Sequence, residues 1–190
     1  RGDNYLPTNK DVYVSANQIK RFNLKTGDKI CGNTRETKAH EKLKPLIFVS
    51  TINGDIPAVA TKRRPFEYLT PIYPDFRLKL ETEKEDFSTR IIDVIAPLGK
   101  GQRGLIVAPP KAGKTTLLKN IANAISKNYP DVEIIVLLID ERPEEVSDMQ
   151  RSIKGDVIYS TFDELPAHHI KVAEMVLERA QRIAEQKKDV

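Results

Sequence analysis

The sequence predicts an α+β chain of two domains. A small β-barrel occupies residues 1–75, a charged linker 76–90, and an α/β domain with a parallel sheet, built on a phosphate-binding loop, 91–190. Three observations carry this prediction. Residues 1–75 read as short β-forming runs separated by turn residues, the pattern of a small barrel. Residues 91–190 alternate apolar β-branched runs with amphipathic helical ones, the pattern of a parallel sheet with crossover helices. Charge divides at nearly the same place: residues 1–80 carry 15 Lys/Arg against 8 Asp/Glu, and residues 81–190 carry 16 against 19, within a net charge of +4. A basic half joined to a mildly acidic half suits two domains with different partners. The basic half fits either a polyanion or an ordinary solvated surface.

Composition narrows the class. At 39% hydrophobic and 31% charged residues, the 190-residue chain can bury a sizeable core, which argues against wholesale disorder. Cys31 is the only cysteine, so a disulfide scaffold is excluded and a reducing compartment fits. The longest strongly apolar run, Ile134 to Ile139, is too short to span a bilayer. No signal-peptide pattern follows Arg1-Gly-Asp-Asn. The expectation is a soluble cytoplasmic protein with no membrane partner. There is no initiator Met, and the chain stops at Lys187-Lys-Asp-Val190, just after a long helix. It reads as a piece of a longer protein.

Taken in order, Asp11-Val-Tyr-Val-Ser15 alternates as a strand, and Ser15 caps a short helical turn reaching Phe22. Thr26-Gly-Asp28 is a turn, and Lys29-Ile-Cys-Gly32 starts a strand. Leu46 to Ile52 is another strand, ended by Asn53-Gly-Asp55. A Pro-rich stretch from Arg63 to Pro74 leads into the charged linker. Gly104-Leu-Ile-Val-Ala108 reads as a short buried strand. Lys114 to Lys127 is helical, with Leu117, Leu118, Ile121, Ala122 and Ile125 on one face. Val132 to Ile139 reads as a strand covered on both sides. Pro143 opens a helix running to about Ile153, Asp156 to Thr161 is a strand, and Pro166 to Lys188 is a long amphipathic helix.

Ala108-Pro-Pro-Lys-Ala-Gly-Lys-Thr115 matches the phosphate-binding loop, except that Ala108 stands where the pattern has Gly. The chemistry tolerates Ala there if the backbone enters the loop at negative φ. Gly113 lets the backbone wrap a β-phosphate, and successive N–H groups and the next helix N-terminus face the anion. Lys114 would reach the β- and γ-phosphates, Thr115 would ligate Mg²⁺ through its hydroxyl, and Lys111 adds a second positive charge. The strand before and the helix after supply the confirming context; an incidental Gly-Lys-Thr helix start is the alternative. Glu141, in Asp140-Glu-Arg142, follows the apolar strand. Ligands of such sheets sit at strand carboxyl ends, where a carboxylate can orient or deprotonate an attacking water. Capping of the Pro143 helix by a solvated Asp-Glu pair is the alternative. His168-His169 reads as surface, because adjacent helix positions face different directions.

Gly99-Lys-Gly-Gln-Arg-Gly104 running into Ala108-Pro-Pro-Lys-Ala-Gly-Lys-Thr115, then Leu137-Leu-Ile-Asp-Glu-Arg-Pro-Glu-Glu-Val146, resembles the bacterial transcription termination factor Rho family. Asp11-Val-Tyr-Val-Ser-Ala-Asn-Gln-Ile-Lys-Arg-Phe-Asn-Leu-Lys-Thr-Gly-Asp28 does too, and the resemblance covers essentially the whole chain. It implies an OB-like cold-shock barrel, lacking its first strands, followed by an incomplete RecA-like P-loop domain. It implies an RNA-dependent ATPase and 5′-to-3′ translocase or helicase. Such a protein binds pyrimidine-rich single-stranded RNA, works as a homohexamer and dismantles the RNA polymerase elongation complex, with ATP and Mg²⁺ as cofactors.

By the same resemblance, Gly99, Lys100, Gly101, Gln102, Arg103 and Gly104 touch ATP. So do Lys111, Ala112, Gly113, Lys114, Thr115, Thr116 and Arg142. Glu141 matches the catalytic carboxylate. Arg1, Asp11, Val12 and Tyr13, with Glu41, Lys42 and Leu43, match RNA-contacting segments. Leu43 stands where some relatives have an aromatic. Two other classes stay open: a rotary ATP-synthase-like subunit, and an RNA-binding regulator that holds ATP as a structural ligand.

Overall fold

The computed structural model describes residues 3–39, 41–83 and 86–190. In chain order it forms β1 (Val12–Tyr13), α1 (Ala16–Arg21), β2 (Ile30–Thr34), β3 (Lys44–Ile52), α2 (Pro57–Ala60) and β4 (Arg77–Leu78). Then come α3 (Phe87–Ile95), β5 (Leu98–Gly99), α4 (Lys114–Asn128), β6 (Ile135–Glu141), α5 (Pro143–Ser152), β7 (Asp156–Thr161) and α6 (Pro166–Glu185). The chain divides into two compact units. One comprises Arg1–Leu69, Leu137–Arg142 and Ile158–Val190; the other comprises Thr70–Val136 and Pro143–Val157.

In the first unit, α1 begins where the Ser cap predicts. The Gln18 backbone N–H donates to Ser15 Oγ at 3.3 Å, and the Ser15 N–H donates to Gln18 Oε1 at 3.2 Å. This capping box satisfies two helix-end donors reciprocally. A three-stranded sheet has the order β1-β3-β2, with β1 parallel and β2 antiparallel to β3. Val49, Ile52 and Ala60 are buried beneath it, packed by Phe22, Leu24, Ile30 and Leu46. Each such Val or Ile contributes about 1.5–3 kcal/mol of burial.

The predicted OB-like cold-shock barrel is not found: among the described residues this sheet is open and three-stranded. Closure needs further strands with free ladder groups. After β3 the chain instead runs through α2 and a 3-10 turn at Phe66–Tyr68. Pro57, Pro65, Pro71 and Pro74 interrupt that stretch, and proline cannot donate to a ladder.

The β2 side of the unit meets α6 through a tight turn. Gly27 has φ +89°, and a Cβ there would lie 2.5 Å from the Glu178 backbone carbon, so both conformation and space demand glycine. Beside it lies a buried ion cluster. The Glu185 carboxylate, fully buried, lies 2.9 Å from Arg63 Nε, 3.3 Å from Arg182 Nη2 and 3.4 Å from Lys25 Nζ. It also accepts the Phe66 backbone N–H at 2.9 Å. Arg63 in turn reaches Asp28 at 2.6 Å. Removing one partner of a buried pair leaves uncompensated charge behind. Glu185→Ala is therefore expected to cost about 3–5 kcal/mol of stability. Urea unfolding checks this; a loss below about 1 kcal/mol would show that the cluster is stabilised without Glu185.

In the second unit, Asp86 caps α3, accepting the Thr89 N–H at 3.4 Å. From the same helix, buried Asp93 accepts the backbone N–H groups of Leu80 at 2.9 Å and Glu81 at 2.8 Å. The incoming segment is thereby tied to α3.

The strand expected at Gly104–Ala108 does not form. Leu105 and Val107 are 87% and 82% exposed. A run of β-formers becomes a strand only where a neighbour supplies ladder bonds, and among the described residues none lies alongside. The sheet behind the phosphate loop is accordingly small, with a P-loop-like helical region beside it. β4 pairs antiparallel with β5, and β6 neighbours β7, as two separate two-stranded sheets. The result is an α+β chain with small sheets and a helical region behind the phosphate loop. Among the described residues, no helix is long and apolar enough to cross a membrane.

Candidate functional site

The phosphate loop lies in the second unit. Ala108 does not adopt positive φ, whereas Lys111 (φ 63°) and Gly113 (φ 85°) do. The two left-handed residues fold the loop back on itself, and the Ala112 N–H donates to Pro109 O at 3.3 Å. Gly113 is the N-cap of α4 and, having no side chain, leaves the helix end uncapped. The first intrahelical bond is donated by the Leu117 N–H, to Gly113 O at 2.9 Å. The N–H groups of Lys114, Thr115 and Thr116 therefore have no helical acceptor. With the helix dipole they form a site for anionic oxygen. Lys111 to Lys114 and Thr116 are exposed, and Thr115 is half-buried.

Thr115 Oγ1 donates to Glu145 Oε2 at 3.1 Å. Glu145, in the first turn of α5, reads in the sequence only as part of a helix start and carries no motif of its own. A second link from α4 to α5 is the ion pair of Lys119 with Asp148. That hydrogen bond, with the lysine charge, holds the Asp148 carboxyl below its usual range. The pair joins α4 to the helix that carries Glu145.

Gly99 to Gln102 forms a separate turn. The Gln102 N–H donates to Gly99 O at 3.0 Å and the Gly99 N–H donates to Gln102 Oε1 at 2.8 Å, with Gly101 at φ +83°. Lys100 is anchored by its N–H on Phe76 O at 2.8 Å, and its ammonium lies 4.8 Å from the Phe76 ring centroid. Arg103 and Gly104 follow, exposed. Glu141 ends β6 half-buried and Arg142 is exposed, directly after Asp140 at φ 58°. Glu141 and Arg142 belong to the first unit, whereas Lys114 and Thr115 belong to the second.

The expected RNA segments converge in the first unit. Parallel pairing sets Val12 beside Lys44 and Tyr13 beside Pro45. The segments 11–13 and 41–43 thus meet at one sheet edge. Tyr13 is 54% exposed and Val12 43%, so Tyr13 is not a core residue here. Asp11 accepts the Thr8 hydroxyl at 2.9 Å. Lys42 is exposed and Leu43 half-buried. Arg1 lies outside the described residues.

Glu41 is gripped by Arg35 through two bonds, Nη1 to Oε2 at 2.7 Å and Nη2 to Oε1 at 2.6 Å, and accepts the Lys38 N–H at 3.0 Å. Arg35 was not singled out in the sequence. First its side-chain hydrogen bonds and then the Lys38 N–H pull the Glu41 carboxyl down to about 2. The folded value lies below the unfolded one of about 4.3. The pair's contribution is therefore complete above that pH and lost as pH falls toward about 2. Carboxyl NMR titration should place Glu41 at about 2 in the wild type, and back in the ordinary range in Arg35→Ala. An ordinary value in the wild type would show that the pair does not persist in solution.

A family model, the ATP synthase alpha/beta family nucleotide-binding domain, matches residues 88–190, and the Rho termination factor RNA-binding domain matches residues 1–58. Transcription termination factor Rho of Bacillus subtilis is 59% identical over 98% of this chain and 44% of its own length. Rho of Haemophilus influenzae is 58% identical over 98% of this chain and 45% of its own. The chain belongs to the Rho family, and its second half to the ATP synthase alpha/beta nucleotide-binding family. Rho of Borreliella burgdorferi, 54% identical over 99% of this chain, is covered over 36% of its length. The chain thus spans less than half of these Rho proteins. The phosphate loop lies inside the nucleotide-binding match, and Asp11–Tyr13 and Glu41–Leu43 lie inside the Rho RNA-binding match.

Proposed function

We propose that the full-length protein is an RNA-stimulated ATPase that moves 5′ to 3′ along nascent single-stranded RNA and terminates transcription, with residues 1–75 holding RNA and 91–190 binding ATP. The observation that carries this reading is the uncapped α4 N-terminus behind a loop with Lys111 and Gly113 left-handed, inside a chain of the Rho family. The resemblance adds a homohexamer acting on the RNA polymerase elongation complex.

In this reading the N–H groups of Gly113 to Thr116 receive phosphate oxygens, and Lys114 places its charge on the β- and γ-phosphates. By the family resemblance, Gly99 to Gly104 and Arg142 also touch ATP. Glu141 accepts a proton from, or orients, the attacking water. Mg²⁺ fits the oxygens present. The Thr115 hydroxyl and Glu145 carboxylate, 3.1 Å apart, are hard donors of the kind that hold this ion with phosphate and water. When bound, the ion would neutralise phosphate charge. Thr115 would offer the ion an Oγ1 lone pair while its own hydroxyl proton stays hydrogen-bonded to Glu145 Oε2.

On the RNA side, Tyr13 supplies an exposed π-face for a base. Glu41, ionised throughout the working range, can accept only, as the cytosine amino group requires. Binding of labelled oligocytidine and of ATP to the full-length protein tests the reading. Single-stranded RNA should bind in preference to duplex, with affinity falling steeply as salt rises. Salt-independent binding, or no ATP binding, would refute it.

A further inference from the structure

We propose that Phe48 is a second base-stacking platform, carrying single-stranded RNA onward from Tyr13 across the outward face of the β1-β3-β2 sheet. This rests on the RNA-binding reading above and extends it to a residue that reading does not use. The register of β3 decides which way Phe48 points. Its pairing with β2 runs Ile52 to Ile30, Thr51 to Cys31, Val49 to Gly32, Phe48 to Asn33 and Leu46 to Thr34, with shifts that leave Ser50 and Ile47 without an opposite residue. With those two set aside, the strand alternates cleanly. Leu46, Val49 and Ile52 face the core, and Pro45, Phe48 and Thr51 face outward. Tyr13 pairs with Pro45, so it shares the outward face with Phe48.

The burial agrees. Phe48 is 60% exposed and Tyr13 54%, against 4% for Val49 and 0% for Ile52. The irregularity at Ile47 is pinned from outside the sheet. Gln18 Nε2 donates to Leu46 O at 3.0 Å and to Ile47 O at 3.4 Å, while Ser15 holds the same side chain through the α1 capping box. An extra residue in a strand re-aims the side chain beside it; without the one at Ile47, Phe48 and Tyr13 would face opposite ways.

The occupant is RNA, because two aromatic faces on neighbouring strands stand about 10 Å apart in the strand direction in a region of 15 basic against 8 acidic residues. Lys44, beside Val12 at the same sheet edge, and exposed Lys10 and Lys42 offer phosphate contacts. Leu43, half-buried, offers no π-face of its own. Phe48 supplies one further along the same strand.

The test is anisotropy of fluorescent oligocytidine on the full-length protein at fixed salt, for wild type, Phe48→Ala, Phe48→Tyr and Tyr13→Ala. An abasic strand of equal length serves as the control ligand. Phe48→Ala is expected to weaken oligocytidine binding by about 5- to 150-fold, the loss of one base–aromatic stack. Phe48→Tyr should retain binding, and the salt slope should not change, because no phosphate contact is lost. Abasic-strand binding and the unfolding midpoint should stay at wild-type values. Wild-type affinity in Phe48→Ala, with Tyr13→Ala impaired, would overturn the role of Phe48 and leave the RNA reading standing. Equal loss for the abasic strand would also overturn it, as a contact that ignores bases. No binding of oligocytidine by the wild type would overturn both.

Discussion

Lys114→Ala is expected to abolish the ATP hydrolysis proposed for the full-length protein. The side chain leaves the first position of α4, directly after Gly113 at φ 85°, where the backbone donors converge. Loss of one preorganised contact to developing charge costs about 10²–10³-fold. Here the lost contact carries a full charge, so nucleotide affinity should fall as well. The helix itself should persist, because Ala is the better helix former. Steady-state turnover and equilibrium ATP binding read the two effects separately. Turnover at the wild-type rate would show that the loop does not hold the nucleotide phosphates.

Glu141→Gln is expected to lower turnover by about two to four orders of magnitude while ATP still binds. Gln keeps the shape of Glu at the end of β6 but cannot take a proton. Single-turnover hydrolysis beside ATP titration separates chemistry from binding. Failure to bind ATP, with turnover per occupied site unchanged, would make Glu141 a structural residue at the strand end.

What was legible in the sequence was local. α4 and α6 follow from apolar spacing over many turns, and α1 from Ser15 and Gln18, whose two bonds form within four residues. The phosphate loop was legible because its chemistry depends on the order of its residues. The barrel and the Gly104–Ala108 strand were misread because pairing is not local: Leu105 and Val107 have the composition of a buried strand but, among the described residues, pair with none.

α3 was hidden for a different reason. It buries Thr89 and Asp93 and exposes Ile91, Val94 and Ile95, so apolar spacing pointed away from its contacts. Within β3, Leu46 to Ile52 is almost wholly apolar, and the skipped residues Ile47 and Ser50 change which side chains face out. Only the register reveals that. The Thr115–Glu145 and Arg35–Glu41 contacts were equally out of reach, since each joins a recognised position to one that carries no motif.

In the proposed function one protein couples an RNA-holding half to an ATP-binding half. The most direct test is the ATPase rate of the full-length protein with and without poly-cytidine RNA, in the wild type and in Tyr13→Ala. Turnover should be low without RNA and rise strongly with it. In Tyr13→Ala the RNA concentration for half-stimulation should move up by about 5- to 150-fold. An ATPase rate that ignores RNA would contradict the account.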